Sequence, residues 1–454
     1  MDVHVSGWRA LNVKQKITKH PLAFILLIGL IIRFILIPLF TFSFDMTFWV
    51  ATSQGLEGGR DIYETSYFWY TPLWGYVIGL QTWIGNAVGL ADYGHLFPEL
   101  VVNYSQTTIP NMTITTIGAN ILYKAPLVLI DVATTFILFH TVMHLTSDKK
   151  KASAVAALWF LCPLVIWSSA VACMFDSLSA LFTVLGFYFM IKERYLVSGL
   201  TMAVAVSAKV FPICLLLVVL AYIFSKHKDS ITQAVKNTGV LFVGAAISFF
   251  VIYLPILMSG NLTKSFEFLS SRSDAVVGEP FNIVKLFTEI SYNDIIRLAP
   301  ILIIVLLLIA IWLYRSEPAD RDKNLLISIV LSFSVMFFWP PVPTYPVVLI
   351  PFLAMVIVMF NGKKLMWSWW FFSIFMVAEA LLLFNFQLLY SLAAYTNILD
   401  LGSVMSVVAS NSSLLSFTEQ LFKYTGFIPA ASVFVIMWQR YKARNDQEGV
   451  TEDA

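Results

Sequence analysis

An aspartate in an aromatic setting is the first residue of this sequence that could do chemistry. Asp45 stands in the run Phe44-Asp45-Met46-Thr47-Phe48-Trp49, a few residues after an apolar segment. Apolar surroundings disfavour the charged form of a carboxyl group, so its pKa tends to rise. Such a group suits a general base or a metal ligand. On position alone, a solvated loop aspartate is the alternative.

Three more charged residues fall where the apolar segments assign the chain to the same side of a membrane. Asp176 offers a second acidic group in the short turn 173–177. Asp45 and Asp176 would be the ligands of a divalent metal, if the site uses one. Lys209 and Arg272 are two of the few cations on that side. The Lys209 ammonium group is a point charge and the Arg272 guanidinium group is a planar fork of N–H donors, and both suit a lipid-linked phosphate. Each is alternatively an interfacial cation whose stem lies along apolar surface.

Aromatic and polar residues continue through the segment after Asp45. Asp61 and Tyr63 end the run 59–63, and Tyr70 stands in the run Tyr67-Phe68-Trp69-Tyr70-Thr71-Pro72. Aromatic faces with nearby polar groups suit sugar rings, and they equally suit packing at a membrane interface. Composition alone favours interface packing.

The composition indicates a chain that is solvated largely by lipid. Of its 454 residues, 59% are hydrophobic and 12% charged, whereas an ordinary soluble domain carries about 25% charged residues. A soluble fold of this size could not hide so much apolar surface. The three cysteines show no metal-ligand spacing. No nucleotide-binding fingerprint is present, and we expect no nucleic-acid partner.

Twelve apolar segments predict an all-α polytopic bundle. Residues 195–224 are interpreted as two short helices hinged at Lys209-Val210-Phe211-Pro212, because proline ends or kinks a helix. Residues 71–90, although apolar, suit a helix lying in the interface better than a crossing. The predicted spans lie near residues 21–40, 121–144, 152–171, 175–191, 195–209, 210–224, 237–257, 297–314, 325–340, 345–360, 365–389 and 421–439.

The distribution of charge predicts the orientation. The two tails and alternate loops hold 20 of the 29 lysines and arginines, which places both termini in the cytoplasm. Outer loops then span 41–120, 259–294 and 389–416. Loops of such length are usually functional or disordered, and aromatic content argues against disorder here. Four Asn-x-Ser/Thr sequons fall in these loops, at Asn103, Asn111, Asn261 and Asn411.

Three charged residues fall within apolar segments. Arg33 and Asp131 lie at similar depths in the first two spans, since one helix rises while the next descends at about 1.5 Å per residue. We predict an intramembrane ion pair with a structural role. Glu379 has no evident partner in the sequence.

Short motifs are dispersed along the chain. They are Asp45 after the first helix, Gly-x-Asp-x-Tyr and Tyr-Thr-Pro in the long loop, Lys124…Asp131, Cys162-Pro163…Asp176…Lys209-Val-Phe-Pro212, Phe281-Asn282, and Tyr345-Pro346 followed by Pro351. Together they resemble the GT-C superfamily of membrane glycosyltransferases, and within it the sequence is similar to GPI-mannosyltransferase-like enzymes and their prokaryotic relatives. Cys162 departs from the asparagine that relatives often have, and no Asp-x-Asp or Glu-x-Asp pair surrounds Asp45, which leaves metal dependence open.

The resemblance implies transfer of a sugar, with mannose as the expected one, from a polyprenyl phosphate of the dolichyl type. The acceptor would be a lipid, glycan or protein on the extracytoplasmic face of a prokaryotic plasma membrane or of the endoplasmic reticulum. Asp45 would be the catalytic base, and Lys209 or Arg272 would stabilise the departing phosphate. The implied substrate-binding residues are Asp61, Tyr63, Tyr70, Asp176, Lys209, Arg272 and Tyr345.

The implied organisation has four parts. They are a cytoplasmic tail over 1–20, a GT-C membrane module over 21–257, a variable membrane module over 258–439 and a second tail over 440–454. Two other functions stay open: a transporter or flippase of lipid-linked sugars, and a non-catalytic assembly subunit that keeps the fold but has lost the site. Carriers usually show paired halves and interrupted helices, and this sequence has no evident repeat.

Overall fold

Helices make up nearly all of the regular structure in the computed structural model. It describes residues 20–404, except 66–67, 69, 91, 98–101, 105–106, 110–111, 268–293, 338–343, 361–362, 384–386 and 397. The amino-terminal helices are α1 (Pro21–Leu39), α2 (Ser43–Glu57), α3 (Pro72–Ala87), α4 (Ile117–Thr146), α5 (Lys149–Phe160), α6 (Pro163–Ile166), α7 (Asp176–Ile191), α8 (Tyr195–Ala208), α9 (Leu216–Lys226) and α10 (Ile231–Met258). The later helices are α11 (Asp294–Tyr314), α12 (Arg321–Met336), α13 (Ile350–Met359), α14 (Lys363–Trp370), α15 (Met376–Leu383) and α16 (Tyr390–Tyr395).

Apolar helices identify the chain as an integral membrane protein. α1, α4 and α10 each have the length and hydropathy of a membrane span. α5 together with Pro163–Val171 is also long and apolar enough, but the pair is bent by 49°, as in a broken span or a re-entrant loop. Every predicted span up to 365–389 coincides with one or more helices, and the span predicted at 421–439 lies outside the described residues. Shorter apolar helices are Asp176–Ile191, Tyr195–Ala208, Phe211–Lys226, Pro300–Tyr314, Ile350–Met359 and Leu365–Ala378.

We call residues 41–120, the predicted first outer loop, the first outer segment. It is more regular than the sequence predicted. α2 begins at Ser43, so Asp45 lies in a helical turn and not in an irregular loop. α3 confirms the helix predicted within residues 71–90, and Pro72 occupies its first turn, where its missing N–H costs nothing. Two antiparallel strand pairs follow, which the sequence did not predict because such short strands carry little periodicity. They pair β1 (Gly94–Phe97) with β4 (Met112–Thr115) and β2 (Val102–Tyr104) with β3 (Thr107–Ile109).

Two apolar cores support these elements. The larger core runs among α5, α7, α9, α12 and α13. The second core lies among α2, α3, the start of α4 and the turn before α7. The outer segment therefore packs on the bundle through a core of its own, which fixes its helices relative to the membrane spans.

The predicted intramembrane ion pair joins α1 to α4. Arg33 Nη2 lies 2.9 Å from Asp131 Oδ2, and both side chains are fully buried. Arg33 also donates to the Phe160 carbonyl at 2.8 Å, and the Ser169 hydroxyl donates to Asp131 Oδ2 at 2.6 Å. Buried charges need partners and hydrogen bonds in an apolar environment. This network therefore ties α1 and α4 to the bent segment of α5 and α6.

A second buried cation holds the carboxyl end of α1. Lys124 on α4 donates from Nζ to the carbonyl oxygens of Ile37 at 3.3 Å and Phe40 at 2.5 Å. The end of a helix leaves carbonyl acceptors unpaired and carries partial negative charge. Lys124 thus fixes the point at which the chain leaves α1 and enters α2, the helix that carries Asp45.

α8 and α10 cross with their backbones in contact. A Cβ atom at Gly199 would overlap the Leu241 carbonyl oxygen, and one at Gly244 would overlap the Leu196 carbonyl oxygen. Small residues allow membrane helices to approach this closely. The close contact lies in the amino-terminal half of α8 and packs that part of the helix against α10.

Several predicted features lie outside the described residues. The outer loops predicted at 259–294 and 389–416 are described only in part. Asn261 is described, and its side chain is buried. The features outside are Arg272, Phe281-Asn282, the sequons at Asn111 and Asn411, and the side chains of Asn103 and Glu379.

Candidate active site

The amino end of α2 places Asp45 in a closed, apolar setting. It lies in the first turn of the helix, where the macrodipole favours negative charge, and only 5% of its surface is exposed. Loss of hydration raises the pKa of Asp45 to about 7, while the charge of Lys209 lowers it and that of Asp176 raises it further. Asp45 is therefore close enough to both residues for their charges to change its pKa, and its carboxyl group ionises near neutral pH.

An irregular connection between α6 and α7 places Asp176 near Asp45. A π-helical turn at Trp167–Val171 follows α6, and Cys173 adopts a left-handed backbone conformation with φ of 55°. Such irregularities concentrate at functional sites. α7 then begins at Asp176, whose carboxylate is fully buried beside Thr344 and Lys209. Neither of its oxygens has a partner at hydrogen-bonding geometry among the described residues.

Lys209 faces Asp176 from within a cage of aromatic rings. Its Nζ atom lies 3.7 Å from Asp176 Oδ1, and both side chains are buried. The same atom lies 4.3 Å from the centroid of the Phe175 ring, 4.9 Å from that of Tyr345 and 5.0 Å from that of Tyr70. A desolvated cation–π contact is worth about 2 kcal/mol. Ring faces and a carboxylate therefore hold the ammonium group at this point of the site.

The predicted hinge after α8 explains how Lys209 reaches the cage. Lys209 is extended, with φ −141° and ψ 137°, and a 3₁₀ turn follows at Phe211–Leu215. Pro212 cannot continue the helix because it has no N–H to donate. The end of α8 also leaves a carbonyl at Ser207, which accepts a hydrogen bond from the Thr71 hydroxyl. The first outer segment is thereby attached to the hinge.

Aromatic residues close the site toward the outer segment. Trp49, one turn after Asp45 on α2, packs edge-on against Trp74 at 5.8 Å and Phe175 at 6.0 Å between centroids. Trp74 stacks on Phe175 at 4.8 Å. Trp49 also donates from Nε1 to the Cys173 carbonyl at 3.3 Å. These rigid rings join the helix of Asp45 to the turn that precedes α7.

The structure brings together five of the residues that the sequence singled out: Asp45, Tyr70, Asp176, Lys209 and Tyr345. Asp61 and Tyr63 lie one layer away, behind Tyr70. The Tyr63 hydroxyl donates to the Tyr70 carbonyl at 2.8 Å, and the Tyr63 N–H donates to Asp61 Oδ1 at 3.0 Å. Arg272, Tyr67 and Trp69 lie outside the described residues.

Sequence reasoning did not single out the rings that surround this cluster. Phe175 contacts Lys209 most closely of the three caging rings, and Trp49 and Trp74 pack behind it. Only the position of Phe175 next to Asp176 could have indicated its role. Trp49 and Trp74 carried no such signal, because aromatic residues are common at membrane interfaces.

The residues present do not form a complete metal site. Asp45 and Asp176 supply two carboxylates, but no group of three or more His, Cys, Asp or Glu side chains comes together in the described parts of the chain. The Lys209 ammonium also occupies the position beside Asp176 that a cation would take. We therefore derive no step through a metal ion.

Comparison with known proteins gives one family match. Residues 56–277 match the family model of the GPI transamidase subunit PIG-U. This range includes Asp61, Tyr70, Asp176 and Lys209, and it begins after Asp45. No curated protein sequence matches the chain.

Two solved structures are similar in fold. Both are crystal structures of ArnT from Cupriavidus metallidurans, one in the apo state and one bound to undecaprenyl phosphate. Sequence identity is 13% for each, with TM-scores of 0.46 and 0.45. The similarity covers 92% and 94% of this chain and 77% of each ArnT chain. Over residues 56–277 the chain is similar to the GPI transamidase subunit PIG-U. This match supports the prediction that the chain is a membrane protein of the GT-C superfamily.

Proposed function

We propose that this protein is a glycosyltransferase that moves a sugar from a polyprenyl phosphate to an acceptor hydroxyl at the extracytoplasmic face. The observation that carries the proposal is the cluster of Asp45, Asp176 and Lys209. A buried carboxyl group with a pKa of about 7 is matched to accepting a proton near neutral pH. Lys209, the cation paired with Asp176, is matched to a phosphate.

The reaction assigns one role to each charged group. The acceptor oxygen attacks the anomeric carbon, and its proton passes to the Asp45 carboxylate. The bond from the anomeric carbon to the phosphate oxygen breaks, and the electron pair stays on the phosphate. Lys209 stabilises the negative charge that grows there, since charge stabilisation is strongest in a site that excludes water. Asp176 holds Lys209 in position between turnovers.

The resemblance to GPI-mannosyltransferase-like enzymes supports mannose as the transferred sugar. A lipid-linked donor agrees with the topology that the charge distribution predicts. Nucleotide sugars are cytoplasmic, whereas the long loop segments belong to the other side in that topology. A polyprenyl tail would lie along the exposed apolar faces of the membrane helices.

The direct test is transfer of radiolabelled mannose from polyprenyl phosphate by the purified protein in proteoliposomes. The acceptor would be a lipid extract from the native membrane. We expect labelled product with the wild type and a loss of about 100-fold or more with Asp45→Asn. Asp229→Asn, which changes an exposed aspartate remote from the site, should keep full activity. Full activity in Asp45→Asn would remove Asp45 as the base.

The PIG-U match favours a second candidate, a non-catalytic subunit of a larger assembly. Asp45 precedes the matched range, so the match itself gives no support to a catalytic base. Tagged protein extracted mildly from its native membrane would separate the two functions. An assembly subunit should give a protein mass well above its own 51.2 kDa after the mass of bound detergent is subtracted, and it should transfer no label. A transferase should be active as the isolated chain.

A further inference from the structure

A second group of aromatic residues adjoins the cluster described above through Tyr70. Tyr63 in the first outer segment, Tyr76 on α3 and Tyr253 near the end of α10 come close enough for their hydroxyl groups to interact electrostatically. The Phe266 ring lies parallel to that of Tyr253, 5.7 Å away. Asp61 lies beside Tyr63 and Tyr76. We call these five residues the outer aromatic platform.

Among the described residues, Tyr70 connects the platform to the candidate active site. Tyr70 contributes its ring to the cage of Lys209, and its backbone carbonyl accepts the hydrogen bond of Tyr63. On the other side, the Tyr76 hydroxyl donates to the Ile252 carbonyl at 2.8 Å, which holds α3 against α10. A ligand on the platform would therefore lie one residue away from the Lys209 cage.

The platform is accessible and rich in hydrogen-bond acceptors. The Phe266 side chain is 47% exposed, and Tyr63, Tyr76 and Tyr253 are half-buried. Both hydroxyl protons of Tyr63 and Tyr76 are given to backbone carbonyls, which leaves their oxygen atoms as acceptors. The carboxylate of Asp61 adds further acceptors.

The local charges favour a neutral ligand over a cationic one. The segment that carries Asp61 also carries the exposed Arg60, and the segment that carries Phe266 also carries the exposed Lys264. These cations offset the carboxylate. A sugar combines hydroxyl donors with a C–H face that packs on aromatic rings, so it matches both properties of the platform.

We propose that the outer aromatic platform is the acceptor subsite and binds a neutral saccharide. This inference rests on the proposed function, because the bound sugar supplies the hydroxyl that Asp45 deprotonates. Tyr253 and Phe266 provide the ring faces, and Asp61 orients the sugar hydroxyls. An aromatic anchor at the membrane interface, with no saccharide bound, is the competing explanation.

Saccharide binding can be measured without any donor lipid. The full-length protein in detergent micelles is titrated with α-1,6-mannobiose, and binding is followed by saturation-transfer difference NMR. We expect Tyr253→Ala and Phe266→Ala each to raise the dissociation constant at least fivefold, and Tyr253→Phe to keep the wild-type value. Phe250→Ala is the matched control, since Phe250 lies on the same helix, is 61% exposed and is outside the platform.

The binding measurements test the saccharide subsite independently of the transfer reaction. Absence of saturable mannobiose binding to the wild type, or equal binding by all four variants, overturns the platform as a saccharide subsite. Weaker binding in the two alanine variants supports it even if no label is transferred, in which case only the enzymatic function fails. Transfer that persists at the wild-type Michaelis constant in Phe266→Ala would also overturn the subsite.

Discussion

The Thr71 hydroxyl donates a hydrogen bond to the backbone carbonyl of Ser207. This contact connects two motifs that are far apart in the sequence, Tyr-Thr-Pro in the outer segment and Lys-Val-Phe-Pro at the hinge after α8. Tyr70 beside it packs on Lys209, and Pro72 beside it begins α3. Each residue of the Tyr-Thr-Pro motif therefore has its own structural role: Tyr70 contacts Lys209, Thr71 binds the hinge before it, and Pro72 begins α3.

Removing the Thr71 hydroxyl should loosen the hinge. Thr71→Val leaves the Ser207 carbonyl unsatisfied, so we expect the free energy of unfolding to fall by about 1–3 kcal/mol. We also expect sugar transfer to fall about tenfold, because small displacements of catalytic groups are costly. Thermal unfolding in detergent and the label-transfer assay measure the two effects. Thr71→Ser retains the hydroxyl and should behave as the wild type, and equal loss in both variants would contradict this role.

The transfer rate should depend on pH through Asp45. Only the ionised carboxylate accepts a proton, and burial raises the pKa of Asp45 to about 7. We therefore expect the rate to rise with pH through about 7 and then level off. The profile is measured from pH 5.5 to 8.5 in proteoliposomes buffered equally on both sides. A rate that is constant between pH 6 and 8 would argue against Asp45 as the base.

The two charged neighbours of Asp45 should move its titration in opposite directions. Lys209 lowers the pKa of Asp45 and Asp176 raises it. Lys209→Met should therefore raise the titration midpoint, and Asp176→Asn should lower it. Infrared difference spectra of the carboxyl stretch, with Asp45→Asn as the reference, follow the titration without requiring activity. Shifts of the same sign in both variants would show that Asp45 does not sense these charges.

The close crossing of α8 and α10 predicts a sharp difference between two glycines. Gly199→Ala places a methyl group against backbone atoms of Leu241, which cannot move aside as a flexible side chain would. We expect it to reduce the free energy of unfolding by about 1–3 kcal/mol. Gly239→Ala on α10 meets no atom within 4 Å and should be neutral or stabilising. Fluorescence-detected size-exclusion chromatography after heating compares the variants, and an equal response would be inconsistent with the crossing.

The protein should lose less stability when both partners of the buried Arg33–Asp131 ion pair are replaced than when only one is. Asp131→Asn leaves the Arg33 charge without its counter-ion, which costs about 3–5 kcal/mol. The double variant Arg33→Leu with Asp131→Leu removes both charges and should recover much of that loss. Thermal unfolding in detergent gives the comparison. A double variant less stable than Asp131→Asn would mean that the pair contributes more than charge neutralisation.

The sequence by itself determined the class of protein, the approximate spans and most of the charged residues of the site. Hydropathy and proline are local properties, so they predicted α1, the hinge at Pro212 and the helix that begins at Pro72. The pairing of Arg33 with Asp131 was also predictable, because helix rise alone sets the depth of each residue.

Only the tertiary structure decided which side chains come into contact at the candidate site. Phe175 and Trp49 complete the surroundings of Lys209 and Asp45 through ring contacts between helices, and no periodicity in the sequence records such contacts. The left-handed turn at Cys173, just before Asp176, likewise has a long-range partner, because the Cys173 carbonyl accepts a hydrogen bond from Trp49. The same packing raises the pKa of Asp45 to about 7, above the ordinary value of a solvated aspartate. Hydration depends on all the surrounding groups, so the sequence alone could not give this value.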